Sequence, residues 1–332
     1  MQTATSRDAP HGVRQVEIGP ERDGQRIDNA LVTLLKGVPK SMIYRLLRTG
    51  QVRVNGKRAK PDTRLADGDT LRIPPVRMAD KVEGRGPAEG QVAEVAEAVI
   101  FEDKHFLVID KPAGVAVHGG SGVASGVIEQ LRRARPAARF LELVHRLDKE
   151  TSGLLLVAKK RSALTDLQAQ FRDRETGKTY AALVAGAWPA GRRVIDVALH
   201  KYLDATGERR VRAVAADDVA GRRSITLVKL ARAYAGFSLL DVTLKTGRTH
   251  QIRVHLQGEG HPIVGDDKYG DFALNKALAR GDPVPGVAPG TRFARMFLHA
   301  AALDVRHPAS GEPLHLEAPL PAECQAFLRS LS

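Results

Sequence analysis

Apolar and polar positions change period several times along the chain, and each change marks an element. Ile27, Leu31, Leu34 and Leu35 recur at helical spacing, and Pro39 breaks the run. Ser41 is a good N-cap and Gly50 a good stop for a second helix. Ile43, Leu46 and Leu47 fall on one face of that helix, Arg45 and Arg48 on the other. Val52-Arg53-Val54 alternates as a strand and Asn55-Gly56 is a tight-turn signal. Lys57, Arg58 and Lys60 lie on the return, and Gly68-Asp69 turns the chain into a further strand at 70–74.

From Arg77 to Val95 the apolar period disappears into Gly, Ala and charge, a linker composition. Beyond it, 99–101 and 106–109 read as a strand pair. The runs 140–144 and 154–158 have the length and content of buried strands. Leu164, Leu167 and Phe171 mark an amphipathic helix over 161–173, and Lys178-Thr179-Tyr180 opens a strand. Residues 224–231 and 236–245 alternate as a strand pair. Thr249 can cap a short helix that stops near Gly258 or Gly260. Residues 271–294, polar with scattered Pro and Gly, predict a long surface loop with a short helix near Leu274 to Leu278. The expected organisation is a polar, disordered tail (1–14), a small domain (15–75), a linker (76–94) and a large domain (95–332).

Charge sharpens this picture. A net +13 and a pI near 10.0 over 332 residues suit a polyanion, nucleic acid ahead of an anionic membrane. The excess is clustered: residues 26–60 hold nine Lys or Arg and one Asp, a net +8. A solvated helix face is the plainer reading of such a run. Helix and hairpin carry the same sign, however, and that favours an RNA surface built on Arg45, Arg48, Arg53, Lys57 and Arg58. No aromatic-rich stacking platform stands out, so backbone and shape contacts are expected over single-base readout. Cys324 is the only cysteine, which excludes an intrachain disulfide and a cysteine zinc site and fits a reducing, cytoplasmic setting. No apolar run approaches the roughly 20 residues that span a bilayer. His250 and His255 do not make a metal site. A spacing of five puts them about 140° apart on a helix and on opposite faces of a strand.

The densest chemistry lies between the two buried runs. His145-Arg146-Leu147-Asp148-Lys149-Glu150-Thr151-Ser152-Gly153 holds five ionisable side chains and two hydroxyls, in a loop pinned at both ends by apolar strands. This stretch resembles the catalytic loop of the RluA family of RNA pseudouridine synthases. Gly247-Arg248-Thr249-His250-Gln251-Ile252-Arg253-Val254-His255 resembles the family's third motif, and Asp110-Lys111-Pro112-Ala113-Gly114 with Val117-His118-Gly119-Gly120 its first. The match continues through 260–270, Leu298-His299-Ala300 and His307-Pro308. Residues 25–74 resemble an S4 RNA-binding domain. Residues 37–45 and 117–122 bring the chain nearest the C-type synthases of bacterial large-subunit ribosomal RNA.

The resemblance implies an α+β fold: a mixed, mostly antiparallel sheet with flanking helices and a cleft, beside a small α/β S4 domain. It implies isomerisation of uridine to pseudouridine in 23S ribosomal RNA, naked or in a pre-50S particle, by a monomer needing no cofactor and no metal. Asp148 falls on the catalytic aspartate, which attacks the sugar, attacks the base or removes a sugar proton. Arg253 would pair with Asp148, and Tyr180 would lie against the target uracil with Leu298 as the opposite wall. Arg146 would fill the space of the flipped base or hold a phosphate, and His145 would orient the loop. Two other readings compete. One is a non-catalytic RNA-binding assembly factor. The other is a glycosidase using Asp148 and Glu150, although Glu150 lacks the separation such a pair needs.

Overall fold

A computed structural model of the protein describes residues 12–35, 38–76, 95–119, 125–205 and 207–332. Residues 77–94 of the expected linker (76–94), residues 1–11 of the expected tail, Gly37 and the stretch 120–122 lie outside the described residues. The chain divides into two compact units, Met1–Gly86 and Pro87–Ser332.

The first unit runs β1 (Arg14–Glu17), α1 (Ile27–Leu34), α2 (Lys40–Arg48), β2 (Arg53–Val54), β3 (Lys57–Arg58) and β4 (Thr70–Ile73). Its four strands form an antiparallel sheet in the order β1-β4-β2-β3. Ile27, Leu31, Ile43, Leu46, Leu47, Val52 and Leu71 close into one apolar core, so the helical spacing read from the chain is the face that is buried. The cap differs from expectation. Pro39 is the N-cap of α2, without a side-chain hydrogen bond, and Ser41 lies inside the first turn. Pro39 thus starts the second helix, whereas α1 stops earlier, with Leu35 as its C-cap. Gly50 takes φ +69° just past the helix, the left-handed stop expected of it.

The second unit is built on a ten-stranded sheet. Its path is β10 (Val194–Asp196), β13 (Ile225–Tyr234), β14 (Phe237–Leu244), β9 (Gly177–Ala185), β15 (Leu298–Arg306), β8 (Ser152–Ala158), β6 (Phe106–Lys111) and β5 (Val99–Glu102). Two more strands pair off this path, β16 (Pro313–Glu317) with β15 and β7 (Glu142–Leu143) with β8. All described pairings are antiparallel except β15 with β8, so the sheet is mixed and mostly antiparallel. Helix α4 (Arg161–Asp173) packs on β8 and β15, and α5 (Gln251–Gly258) on β13.

Three stretches depart from the sequence reading. Helix α3 (Val127–Ala134) was not expected. It buries Val127, Ile128 and Leu131, and Glu129 closes its first turn by accepting from Gly126 N and Gly119 N, both at 2.9 Å. The ribbon β11 (Ala198–Leu203) with β12 (Arg209–Val214) is too rich in arginine to show an apolar alternation. The expected surface loop at 271–294 is more ordered than its polarity suggests. Asp271 caps a nine-residue helix, α6 (Phe272–Arg280), and Leu278 and Phe293 are buried against Cys324 and Phe327. Phe327 belongs to the last helix, α7 (Ala322–Arg329).

Candidate active site

The catalytic-loop candidate leaves β7 and re-enters the sheet at β8. Val144 N donates to Leu156 O at 3.0 Å, and Leu147 is buried, so the backbone stays tied to the sheet on the way to Asp148. Immediately after it, Thr151 N donates to Asp148 O at 3.2 Å and closes a turn. The carbonyl of Lys149 is held twice, by Gly114 N at 2.9 Å and by Lys111 Nζ at 3.0 Å. Lys111 is fully buried, and its other two donors reach Pro112 O and Val115 O at 2.8 Å each. Three carbonyls therefore meet the three protons of one ammonium. Burial pushes Lys111 down to about 7, against the pull of Glu150 and Asp148.

Asp148 keeps 20% of its side-chain surface exposed, over a cavity of about 240 Å³. That is below the roughly 300–1,000 Å³ of drug-sized ligand sites and suits a single base. The cavity gathers every catalytic-domain residue singled out in the sequence: Asp148, Arg253, Tyr180, Arg146, His145 and Leu298. Asp148 is its only acid among the described residues, whereas Arg146, Lys178, Arg248 and Arg253 bring cations. Glu150 does not line it and pairs with Lys149 at 3.5 Å, so this cavity does not hold the two carboxylates of a glycosidase. A wider groove of about 720 Å³ adjoins the cavity, sharing Asp148 and Arg253 with it and adding His118, Lys149, Glu150 and Lys268.

Arg253 projects from α5 with 3% exposure. Its Nη1 lies 3.5 Å from Asp148 Oδ2, so the two charges do meet. Its shorter bonds go elsewhere: Nε and Nη2 grip Asp266 at 2.7 and 2.6 Å, and Nη2 reaches Asp267 at 3.0 Å. Burial opposes the charge on Arg253. The Asp266 hydrogen bonds and the three carboxylates outweigh it, and the guanidinium is held firmly protonated. Asp266, 1% exposed, is a site residue the sequence reading quoted only as part of a motif. The Tyr269 ring completes the box, 5.1 Å from the guanidinium carbon.

Tyr180 stands on β9, opposite Ala300 of β15, and Leu298 pairs with Ala182 two residues along, so the strand pairing brings tyrosine and leucine together as diagonal neighbours. Burial, with Asp148 nearby, pushes the phenol above its usual range. Lys178, two residues before Tyr180, lines the same cavity and sits 5.4 Å from the Phe171 ring centre; burial lowers its pKa. Alternation along the strand is the signal that would have found it. Arg146 is exposed at the mouth.

His145 touches the cavity but is occupied. Leu156 N donates to its Nε2 at 3.1 Å, and its ring stacks on Phe171 with centroids 4.6 Å apart. Burial first, and Lys178 second, push it down to about 4, so it is a neutral anchor for the loop.

His250, not Thr249, is the N-cap of α5, and it takes φ 52°. That helix start is fixed by Gln251. Its Oε1 accepts from Thr246 Oγ1 and Arg248 N, and its Nε2 donates to Ile225 O and Thr226 Oγ1. The two histidines are held separately. His250 meets Tyr269 OH at 2.9 Å and lies 3.8 Å from Asp148, whereas His255 bonds Thr226 Oγ1 and Val197 O.

In the first unit, Arg45, Arg48, Arg53, Lys57 and Arg58 are all exposed. Arg45, Arg48 and Arg58 line one groove; Arg53 and Lys57 do not. Arg53 turns back on its own hairpin, donating to Gly56 O and Gly50 O at 3.4 Å. Among the described residues no helix is long and apolar enough to cross a membrane.

Known proteins are similar to this chain over most of its length. The RNA pseudouridylate synthase family matches residues 105–258, and the S4 domain matches residues 25–71. Ribosomal large subunit pseudouridine synthase C of Escherichia coli (strain K12) is 50% identical over 320 residues, covering 96% of this chain and 97% of that protein. The protein of the same name from Yersinia pestis is 48% identical, with 96% of each chain covered. Among solved structures, Human RNA Pseudouridylate Synthase Domain Containing 4 is similar with a TM-score of 0.57 and 25% identity, covering 72% of this chain and 96% of that one. The loop, the buried arginine and the sheet that joins them thus sit in a chain half identical, over nearly its whole length, to known synthases. The chain belongs to the RluA family of RNA pseudouridine synthases, with an S4 domain ahead of the catalytic one.

Proposed function

We propose that this chain converts uridine to pseudouridine in 23S ribosomal RNA of the bacterial large subunit, acting as a cytoplasmic monomer on the RNA itself or on an assembling pre-50S particle. The observation that carries the reading is Asp148, the lone acid over a base-sized cavity lined by Tyr180 and Leu298 and backed by Arg253. In the reaction the bond from ribose C1′ to uracil N1 breaks, the base turns, C1′ bonds to C5, C5 loses its proton and N1 takes one up. Nothing is consumed, so no cofactor is required. Attack on the sugar, attack on the base and removal of a sugar proton all need a carboxylate close to the glycosidic bond and shielded from bulk water. Arg253 keeps that carboxylate's charge tolerable in a poorly hydrated place. Tyr180 and Leu298 hold the detached uracil while it turns, and Arg146 at the mouth takes up the stack or the phosphate left by the flipped nucleotide. The domain at 15–75, tethered through 76–94, supplies non-specific RNA affinity that raises the local concentration of target.

The direct test uses large-subunit ribosomal RNA carrying tritium at uridine C5. Wild type should release tritium and form pseudouridine. Asp148→Asn should abolish both while leaving RNA affinity nearly unchanged. Full turnover in that variant removes Asp148 from the chemistry. RNA binding by wild type with no tritium release from either naked RNA or particles would favour the assembly-factor reading.

A further inference from the structure

We infer that Tyr44 is a base-stacking platform of the first unit. It would let this unit grip an unpaired nucleotide of RNA, beyond contacts to the phosphate backbone. The inference rests on the RNA reading above and concerns a residue outside the basic set proposed there.

Helix α2 buries Ile43, Leu46 and Leu47 and turns Tyr44 outward, where the side chain is 47% exposed. Tyr44 lines a groove of about 630 Å³ together with Arg45, Arg48, Arg58 and Lys60. A large apolar ring left half exposed among four cations is the combination that binds single-stranded nucleic acid. The cations follow the phosphates and the ring takes a base face, at little cost in sequence preference. The ring is also held in advance. Its hydroxyl donates to Asp28 Oδ2 at 3.2 Å, and Asp28, itself buried, is fixed by Arg26 and by Asn29 N. A ring tethered at its tip loses little freedom when a base lands on it. The far wall is fixed too. The Arg58 side chain lies over Gly50, where a Cβ would come within 2.3 Å of Nε, and its Nη2 donates to Arg48 O at the end of α2. This supplies the stacking element that the aromatic-poor sequence seemed to lack. One ring suffices where the fold brings the cations around it.

The experiment uses the full chain and a short unstructured RNA, with the matching duplex as control, over a range of salt. Tyr44→Leu should weaken binding of the single strand by about 5- to 150-fold and leave the duplex nearly unaffected. The salt slope should not change, because a stacked base releases no counterions. Arg48→Gln should do the reverse, lowering the slope by roughly 0.7. Tyr44→Phe, which keeps the ring and loses the tether to Asp28, should fall between wild type and Tyr44→Leu. A second measurement needs no variant: irradiation of the wild-type complex with RNA carrying 5-iodouridine should cross-link Tyr44. Unchanged single-strand affinity in Tyr44→Leu, or adducts confined to other residues, would overturn the stacking role and leave the RNA reading standing. A wild type that binds neither RNA would overturn both.

Discussion

A guanidinium ringed by three carboxylates sets the electrostatics of the cavity, and the charge that fixes it is not that of Asp148. Asp266 holds Arg253 through two short bonds while Asp148 stands farther off, so Arg253 is positioned by one acid and offered to another. Replacing Asp266 by Asn should therefore harm the site without touching the substrate. The buried guanidinium would lose its principal counter-charge, and breaking such a pair costs about 3–5 kcal/mol. Urea unfolding should register that loss, and turnover should fall far more than RNA affinity, because Arg253 would swing toward Asp148 or Asp267. Wild-type stability and turnover together would mean that Asp266 does not position Arg253. Asp148 and Arg253 were legible in the sequence because each sits inside a long motif. Asp266 was not singled out because Asp266-Asp267 gives no sign of which acid turns inward. The fold decides it: the Asp266 side chain is 1% exposed and that of Asp267 60%.

At the scale of elements, the loop that carries Asp148 is aimed by the one parallel join among the described strand pairings. Ser152 and Gly153 of β8 pair with His299 and Ala300 of β15. Ser152 Oγ donates to His299 Nδ1 at 2.9 Å and accepts from Arg295 Nη2 at 2.7 Å, while His299 Nε2 donates to Ala318 O. Gly153 has φ +104°, and a Cβ there would lie 2.3 Å from Ala300 O. Gly153→Ala should thus push β8 off β15 five residues after Asp148. Its backbone strain costs about 1–3 kcal/mol, before any loss of pairing. Denaturation midpoints and single-turnover rates should both fall, and wild-type values in both would show that this join does not aim the loop. The sequence predicted β8 as a buried run and α4 to its ends, because long apolar stretches and a clear helical period survive any tertiary context. It missed α3 and the β11–β12 ribbon for a physical reason. The first has three buried apolar residues in eight beside a Gly-rich stretch, and the second buries few side chains beneath a row of arginines.

Over the whole molecule, basic charge and buried neutral bases combine into a dependence on pH whose sign can be worked out. Burial pushes His145 down to about 4 and also lowers His250, His255 and His299. An unfolded chain titrates histidine near 6.5. Between that value and about 4 the unfolded state binds a proton that the folded state refuses, so stability falls as pH drops through the window. For His145 alone the loss approaches about 3 kcal/mol, and the other three shift it the same way. Lys111, pushed to about 7, acts in the same direction higher up: folding gains stability as pH rises from there toward the unfolded lysine value. Both windows slope alike, so the chain should be markedly more stable at pH 8 than at pH 5. Self-repulsion of the net +13 charge, which grows as carboxylates are protonated, adds to the acid loss but is screened by salt. Urea unfolding at pH 5, 6.5 and 8 in 0.5 M salt isolates the buried bases. The slope should persist there, and His145→Gln, which can still accept from Leu156 N, should flatten its acid limb. A profile that goes level once salt is added would assign the whole effect to surface repulsion, and His145 would then have to be charged or solvated in the folded chain.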